Sequence, residues 1–340
     1  MLFRSTISQL SPTDGTTFQA SVSSITSTAQ TGGTVIASIA VGLVSDPAGN
    51  TSAASTSTDN TVTYDTVRPT LTSINRSTGA TNPTNTGPLT WTATFVEPVS
   101  GVTASNFGVA TSGITGTAPS ITSVATTDGS TLSTTWVITV STTGAIGANA
   151  GSIGVNLTSA TGIADAATNT LSTATLTGQT YTYDTTVPTV TVALAAASDT
   201  GSSSSDGITS AATLTYNVTF SESVTGLATG DFSLSGTSCT LGVLSGSGTT
   251  YTLTVTSCAD GASVGLSVLA NAVSDAAGNS GPAATTAAAT VTIDRTGPTV
   301  TINQAATQAD PANASPVLFR VVFSEPINVS SFTAADVTIG

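Results

Sequence analysis

Apolar and polar residues alternate along much of this chain. Leu89, Trp91, Ala93 and Phe95 share one parity, as do Leu214, Tyr216, Val218 and Phe220, and again Val317, Phe319, Val321 and Phe323. A period of two puts each set on one side of a half-buried strand. Tyr251, Leu253 and Val255 continue the pattern, followed by Val264, Leu266 and Val268. Clusters of Gly, Ser and Asp separate the runs. No apolar pattern of helical period extends for a useful length, so the chain is expected to be all-β. Trp91 and Trp136 both fall on strand parity and are expected in the core.

Three landmarks recur in a fixed order. Asp65, Asp184 and Asp294 each stand four residues before a proline, in "TVTYDTVRP", "TYTYDTTVP" and "TVTIDRTGP", and are 119 and 110 residues apart. Asp46, Asp165 and Asp275, in "SDPAGN", "ADAATN" and "SDAAGN", keep the same two spacings. "FVEPV", "FSESV" and "FSEPI" follow about 30 residues after each linker, so the period is that of a repeated domain rather than of a solenoid or propeller blade. Residues 1–65 read as the end of one domain, 66–184 and 185–294 as complete domains, and 295–340 as the start of a fourth. About seven strands per unit indicate antiparallel β-sandwiches of immunoglobulin type. Tandem sandwiches joined by short linkers are expected to form an elongated rod. The linker proline fixes φ as each new domain begins, and too few residues lie between for a loose tether.

Composition narrows the function. Lys plus Arg number 5 against 18 Asp plus Glu, for a formal charge of −13. Nucleic-acid binding needs clustered basic residues to neutralise phosphates, so no nucleic-acid partner is expected, and anionic membrane surfaces are disfavoured for the same reason. Histidine is absent, which removes the commonest general base, and no enzyme activity is expected. No run reaches the roughly 18–20 apolar residues of a membrane span. "MLFRSTISQL" lacks the apolar core of a signal peptide, so an export signal is expected outside this chain. The abundant Thr suits strands because it is β-branched; heavy O-glycosylation is the other reading of the same residues.

The strings "VTFSESVTGLATGDFSLSG", "AVSDAAGNSGPAA" and "TVTIDRTGPTVTI" resemble the bacterial immunoglobulin-like repeats of very large secreted surface proteins, notably biofilm and adhesin stalks. The resemblance covers both complete units and the two partial ones. It implies a structural spacer at the bacterial cell surface or outside the cell. The partners implied are the neighbouring repeats of the same chain and, through domains outside it, a host or matrix ligand. A glycan- or protein-binding module and an accessory region of a secreted hydrolase are the alternatives.

Strand direction makes the acidic landmarks converge. If strand B ends at Phe220, Glu222 lies in the B–C loop at the domain's N-terminal pole. Asp275 and Asn279, in the F–G loop after a strand ending near Val273, lie at the same pole, and the preceding strand G delivers Asp184 there. Asp65, Glu97 and Asp165 are the equivalent set one unit earlier; Asp294 and Glu325 begin a third. Each glutamate lies two residues beyond the last inward Phe and so shares the core parity, where an unpaired carboxylate is costly. Ca²⁺, a hard cation taking carboxylate and carbonyl oxygens together, answers that cost, and calcium at domain junctions is also what the resemblance implies. The alternative is turn chemistry without an ion: Asp forms an Asx-turn, and Gly supplies a positive φ in "DAAGN". Asp231 reads as a turn residue. Cys239 and Cys258 flank "TLGVLSGSGTTYTLTV", two strands around a Ser/Gly turn, which sets them opposite each other for a disulfide; a pair of buried thiols is the alternative.

Overall fold

In the computed structural model the described residues are 2–9, 15–26, 33–201, 203–236 and 238–340. They divide into two units, Met1–Asp184 and Thr185–Gly340. The first unit begins with two antiparallel pairs. β1 (Leu2–Gln9) pairs with β2 (Phe18–Thr26), and β3 (Gly33–Ile36) with β4 (Thr61–Tyr64). Seven strands follow: β5 (Leu71–Arg76), β6 (Leu89–Val99), β7 (Phe107–Gly116), β8 (Ser120–Ala125), β9 (Ser133–Ser141), β10 (Ala145–Leu157) and β11 (Leu176–Tyr183). They form two sheets, β5-β6-β9-β8 and β11-β10-β7. Lettered A to G, these are the A-B-E-D and G-F-C sheets of an immunoglobulin sandwich.

The second unit repeats the plan with β12 (Val190–Leu194), β13 (Ile208–Thr209), β14 (Thr213–Val224), β15 (Phe232–Ser235), β16 (Thr240–Thr256) and β17 (Ser263–Val268). After them come β18 (Val273–Ser274), β19 (Ser280–Gly281), β20 (Thr286–Ala287) and β21 (Val291–Ile293). One sheet runs β12-β14-β16, and the other β13-β21-β17-β15. β16 is the expected D–E hairpin: Val243 N–H donates to Thr254 Oγ1 at 2.7 Å across it, and its turn uses Gly246 at φ 110°. The short β13 pairs parallel to β21, an addition that nothing in the alternating pattern announces. Finally, β22 (Val300–Gln304) and β23 (Phe319–Phe323) make a two-stranded sheet.

Period-two burial builds each core. Along β6 the inward row Leu89, Trp91, Ala93, Phe95 and Val99 is at most 5% exposed, and along β14 so are Leu214, Tyr216, Val218, Phe220 and Val224. Leu253 and Val255 of the neighbouring β16 widen this row, and Val264, Leu266 and Val268 of β17 close the second core from the facing sheet. Both tryptophans are buried. Trp91 packs edge-on against Tyr181 at 4.9 Å, and its Nε1–H donates to the Gln179 carbonyl at 2.8 Å.

Two strand ends differ from expectation. β6 and β14 do not stop at Phe95 and Phe220 but continue to Val99 and Val224, so Glu97 and Glu222 sit in strand B rather than in the B–C loop. The pairing shifts register between Thr94 and Val99 and between Thr219 and Val224. An irregularity of this kind bends a strand without ending it, and side-chain alternation alone cannot distinguish the two outcomes. Strand F ends at Val268, and the two-residue β18 carries the chain on to Val273 and Ser274, pairing with β19 around the Asp275 turn.

Tyr216 takes in β14 the place that Trp91 has in β6, but its hydroxyl has no hydrogen-bond partner among the described residues, and burial pushes its pKa up to about 12. Leaving a buried hydroxyl unsatisfied costs about 1–3 kcal/mol. Tyr216→Phe is therefore expected to raise the stability of the second unit by about 1 kcal/mol, and denaturant unfolding that shows a loss instead would reveal a hidden partner. Cys239 and Cys258 are bonded at the open end of the β16 hairpin, Cα atoms 4.1 Å apart. Closing this short loop restricts the unfolded chain, so Cys239→Ser with Cys258→Ser is expected to cost about 3 kcal/mol, read as a lower denaturation midpoint in the second unit alone.

Candidate functional site

Each "DxAxN" segment folds into one hydrogen-bonded turn. In the second repeat Asp165 Oδ1 accepts the Asn169 backbone N–H at 2.8 Å, and Oδ2 accepts Asn169 Nδ2–H at 2.9 Å. Asp275 and Asn279 repeat the pair at 2.8 and 2.8 Å, with Ala277 N–H also donating to Asp275 Oδ1 at 2.8 Å. Asp46 and Asn50 form the same turn, with both bonds at 2.9 Å. The Asx-turn reading therefore describes the local geometry. It leaves the carboxylate fixed in place by its own loop, and two of these three aspartates are buried: Asp165 at 5% and Asp275 at 8% exposure.

The turn brings its aspartate to the glutamate of strand B. In the first unit, carboxylate oxygens of Asp65, Glu97 and Asp165 all lie within 4.8 Å of one another. Asp65 is set by its own linker: its Oδ1 accepts the Val67 N–H at 2.9 Å, and its carbonyl accepts Asn169 Nδ2–H at 3.2 Å. In the second unit Glu222 and Asp275 approach equally closely, within 4.8 Å. Asp184 is the last residue of the first unit; it is buried, and its N–H donates to the Thr84 carbonyl at 3.0 Å. Asp294 is exposed, Glu325 half-buried, and the two line one open cleft with Arg295.

Electrostatically the first cluster is a concentration of like charge. Burial, then the carboxylates of Asp65 and Asp165, raise the Glu97 carboxyl above its ordinary value of 4.5. The nearest linker cation does not answer this. Arg68 directs Nε and Nη2 to the carbonyls of Thr170 and Leu171 at 2.8 and 3.0 Å, bracing the linker against the segment after the turn. Arg295 likewise donates to the carbonyls of Cys258 and Ala211, both at 2.8 Å. Three oxygen acids with backbone carbonyls close by form the donor set of a hard divalent cation. By their chemistry these residues fit Ca²⁺ and suit neither a thiolate-seeking nor an imidazole-seeking metal.

Asn279, expected as a ligand, donates its amide nitrogen to Asp275 Oδ2 at 2.8 Å and so holds that carboxylate in place. Asn169 was missed, and it does the same for Asp165 while also tying down the Asp65 carbonyl. Its signal was in the sequence, since both asparagines stand four residues after the turn aspartate. Asp231 does open a turn: its Oδ2 accepts the Ala228 N–H at 2.7 Å.

The bacterial Ig-like domain family matches residues 184–292. That family is generally non-catalytic. No curated protein matches the chain.

Because the folded state raises the Glu97 pKa, it holds that proton more tightly than the unfolded chain does. The resulting penalty is absent below the unfolded value of 4.5 and grows as pH rises through the folded value. In chelator, Glu97→Gln is expected to raise the melting temperature of the first unit at pH 7 and to have no such effect in acid. A pH-independent change in thermal melts would show that charge is not the cause.

Proposed function

Residues 184–292 are a bacterial Ig-like domain, a module of surface and extracellular proteins, and from this we propose that the chain is a run of spacer repeats in a bacterial adhesin. One observation carries the reading: the same acidic set recurs in register with the same sandwich. Asp65, Glu97 and Asp165 gather in the first unit, and Glu222 with Asp275 in the second. A binding module has no need to conserve one pole across its own repeats, whereas a spacer meets the same requirement at each joint. Trp91 and Trp136 are buried, so neither is open to a glycan. If strands of about ten residues set the long axis, each domain contributes about 33 Å of reach.

Calcium is the proposed ion. Asp65, Glu97 and Asp165 would hold it with carboxylate oxygens, while Asn169 and Arg68 keep the turn and linker in position. The ion would cancel the mutual repulsion that the three acids otherwise carry. Extracellular sites bind at about 10⁻⁴–10⁻³ M, so millimolar Ca²⁺ contributes about 0.4–1.4 kcal/mol per site by mass action. That is small beside a domain's own stability of about 5–15 kcal/mol, so the effect of calcium is to stiffen the linker segment rather than to fold the sandwich.

Thermal melts with Ca²⁺ and with chelator are expected to differ for the parent chain. Glu97→Gln should remove the first unit's share of that difference, and Glu222→Gln the second's. Equal calcium responses in parent and variants would remove the ion from this account and leave turn chemistry alone.

A further inference from the structure

The connection from β5 to β6 in the first unit and that from β12 to β14 in the second are anchored alike. Ser77 and Ala195 donate their N–H groups to the carbonyls of Thr90 and Thr215, and the carbonyls of Thr84 and Thr209 accept the N–H groups of Asp184 and Asp294. From Ser77 to Thr84 is seven positions, but from Ala195 to Thr209 is fourteen. The shorter stretch, "STGATNPT", contains no acid. The longer one, "AAASDTGSSSSDGIT", contains Asp199 and Asp206.

The neck of this longer loop is tied down. Thr209 is buried; its Oγ1 donates to the Ser198 carbonyl at 2.7 Å and accepts the Thr200 N–H at 3.2 Å. Ser198 Oγ accepts the Thr215 N–H of β14 at 2.9 Å. Asp199, held between Ser198 and Thr200, is 8% exposed. Its Oδ2 accepts the Gly207 N–H at 3.3 Å, which lays the Asp206–Gly207 peptide against the carboxylate. Its Oδ1 is shielded from solvent and has no hydrogen-bond partner among the described residues. An ionised oxygen buried in this way carries its full desolvation cost. Neither arginine of the second unit answers it among the described residues. Arg295 commits its guanidinium to the carbonyls of Ser210, Ala211 and Cys258, and Arg320 is exposed on β23.

We propose that this loop is a cation site of its own, in which Asp199 Oδ1 and the carboxylate of Asp206 hold Ca²⁺. Asp206 is exposed and stands next to the Gly207 N–H that reaches Asp199, so a second acid belongs to the same turn. Ser203 and Ser205, their hydroxyls 3.4 Å apart, and the loop carbonyls supply neutral oxygens. Ca²⁺ takes six to eight oxygens in adaptable geometry, whereas Mg²⁺ demands a near-ideal octahedron and gives up water reluctantly. A loop of small hydroxyl residues therefore fits the larger ion. The ion would also act on the sheet. Ile208 and Thr209 form β13, which pairs with Thr292 and Ile293 of β21, and the Thr292 N–H donates to the Gly207 carbonyl at 2.7 Å. Fixing the loop would hold β13 against the strand that leads to Asp294. The proposal rests neither on the spacer reading nor on calcium at Glu97 or Glu222.

Amide hydrogen exchange of the full chain, read by mass spectrometry on peptides covering residues 196–210, tests this in 1 mM CaCl₂ against chelator. Calcium is expected to slow exchange in these peptides by about two- to tenfold, the mass-action factor for a site of extracellular affinity. The same concentration of MgCl₂ should leave them unchanged. Asp199→Asn is expected to abolish the slowing. Asp206→Asn alters an exposed side chain outside the neck, and should raise the calcium concentration for half effect by about fivefold, because one ligand charge is lost. A Glu97→Gln, Glu222→Gln double variant, which disables the other two acidic clusters, should keep the slowing in full. No slowing in the parent chain overturns the proposal. So does equal slowing by magnesium, which would show charge screening alone, or slowing that persists unchanged in either aspartate variant. Slowing that vanishes in the glutamate double variant overturns it as well, since the effect would then come from the other clusters.

Discussion

Burial of one strand's inward row is what the rest of each sandwich depends on. In β6 and β14 every second side chain from Leu89 to Phe95 and from Leu214 to Phe220 lies in the core, and both neighbours in the sheet are positioned by pairing with that strand. Apolar burial is the main favourable term in folding, and period two forces the row to share one face. Since side chains carry little charge and few aromatics, these central rows supply much of the large apolar surface available. The paired strands widen the row with Leu253 and Val255 and with Ile138 and Val140, and the facing sheets then have a fixed parity to match: Val264 and Leu266, Ile153 and Val155.

The same strand delivers the acid. Continuing β6 and β14 past their last Phe keeps Glu97 and Glu222 on the core side at the domain's end, where strand geometry no longer has an apolar partner to offer. A carboxylate there is partly desolvated and faces the aspartate of the Asx-turn. Evidently the chain does not place it there for stability, since Glu97 is held above its ordinary pKa by burial and by two like charges. Glu97 thus costs the isolated fold something, and the same residue recurs in the repeat frame as Glu222 and Glu325. Turn and site are therefore not rivals. The hydrogen bonds from Asn169 and Asn279 that make the turn are also what hold Asp165 and Asp275 still.

Much of this was legible in the residues. Alternation marked the inward rows, and the fixed spacing of Asp65, Asp184 and Asp294 marked the period. The Ser/Gly run between the cysteines marked a hairpin. Other features escaped for identifiable reasons. Where strand B ends depends on a pairing irregularity before Val99 and Val224, and in both strands the inward row keeps its parity through it. β13 is two residues long and pairs parallel to a strand more than eighty residues away, beyond the reach of any local pattern. Asn169 was missed as a positioning residue: its bond to the Asp65 carbonyl appears only when the linker is folded beside it.

The partial domains follow from the first constraint rather than standing apart from it. A row of apolar side chains on a strand has a low free energy only when a second sheet covers it, and β22 with β23 carries such a row uncovered. Exposed edges and apolar faces of this kind are what natural sheets ordinarily blunt with charge, proline or a covering loop. Here the edge strand β23 offers Phe319, Val321 and Phe323 with Arg320 as its single charge. Val300 and Phe319 on these strands are more than half exposed, whereas Val190 and Tyr216, in the same register on β12 and β14, are covered.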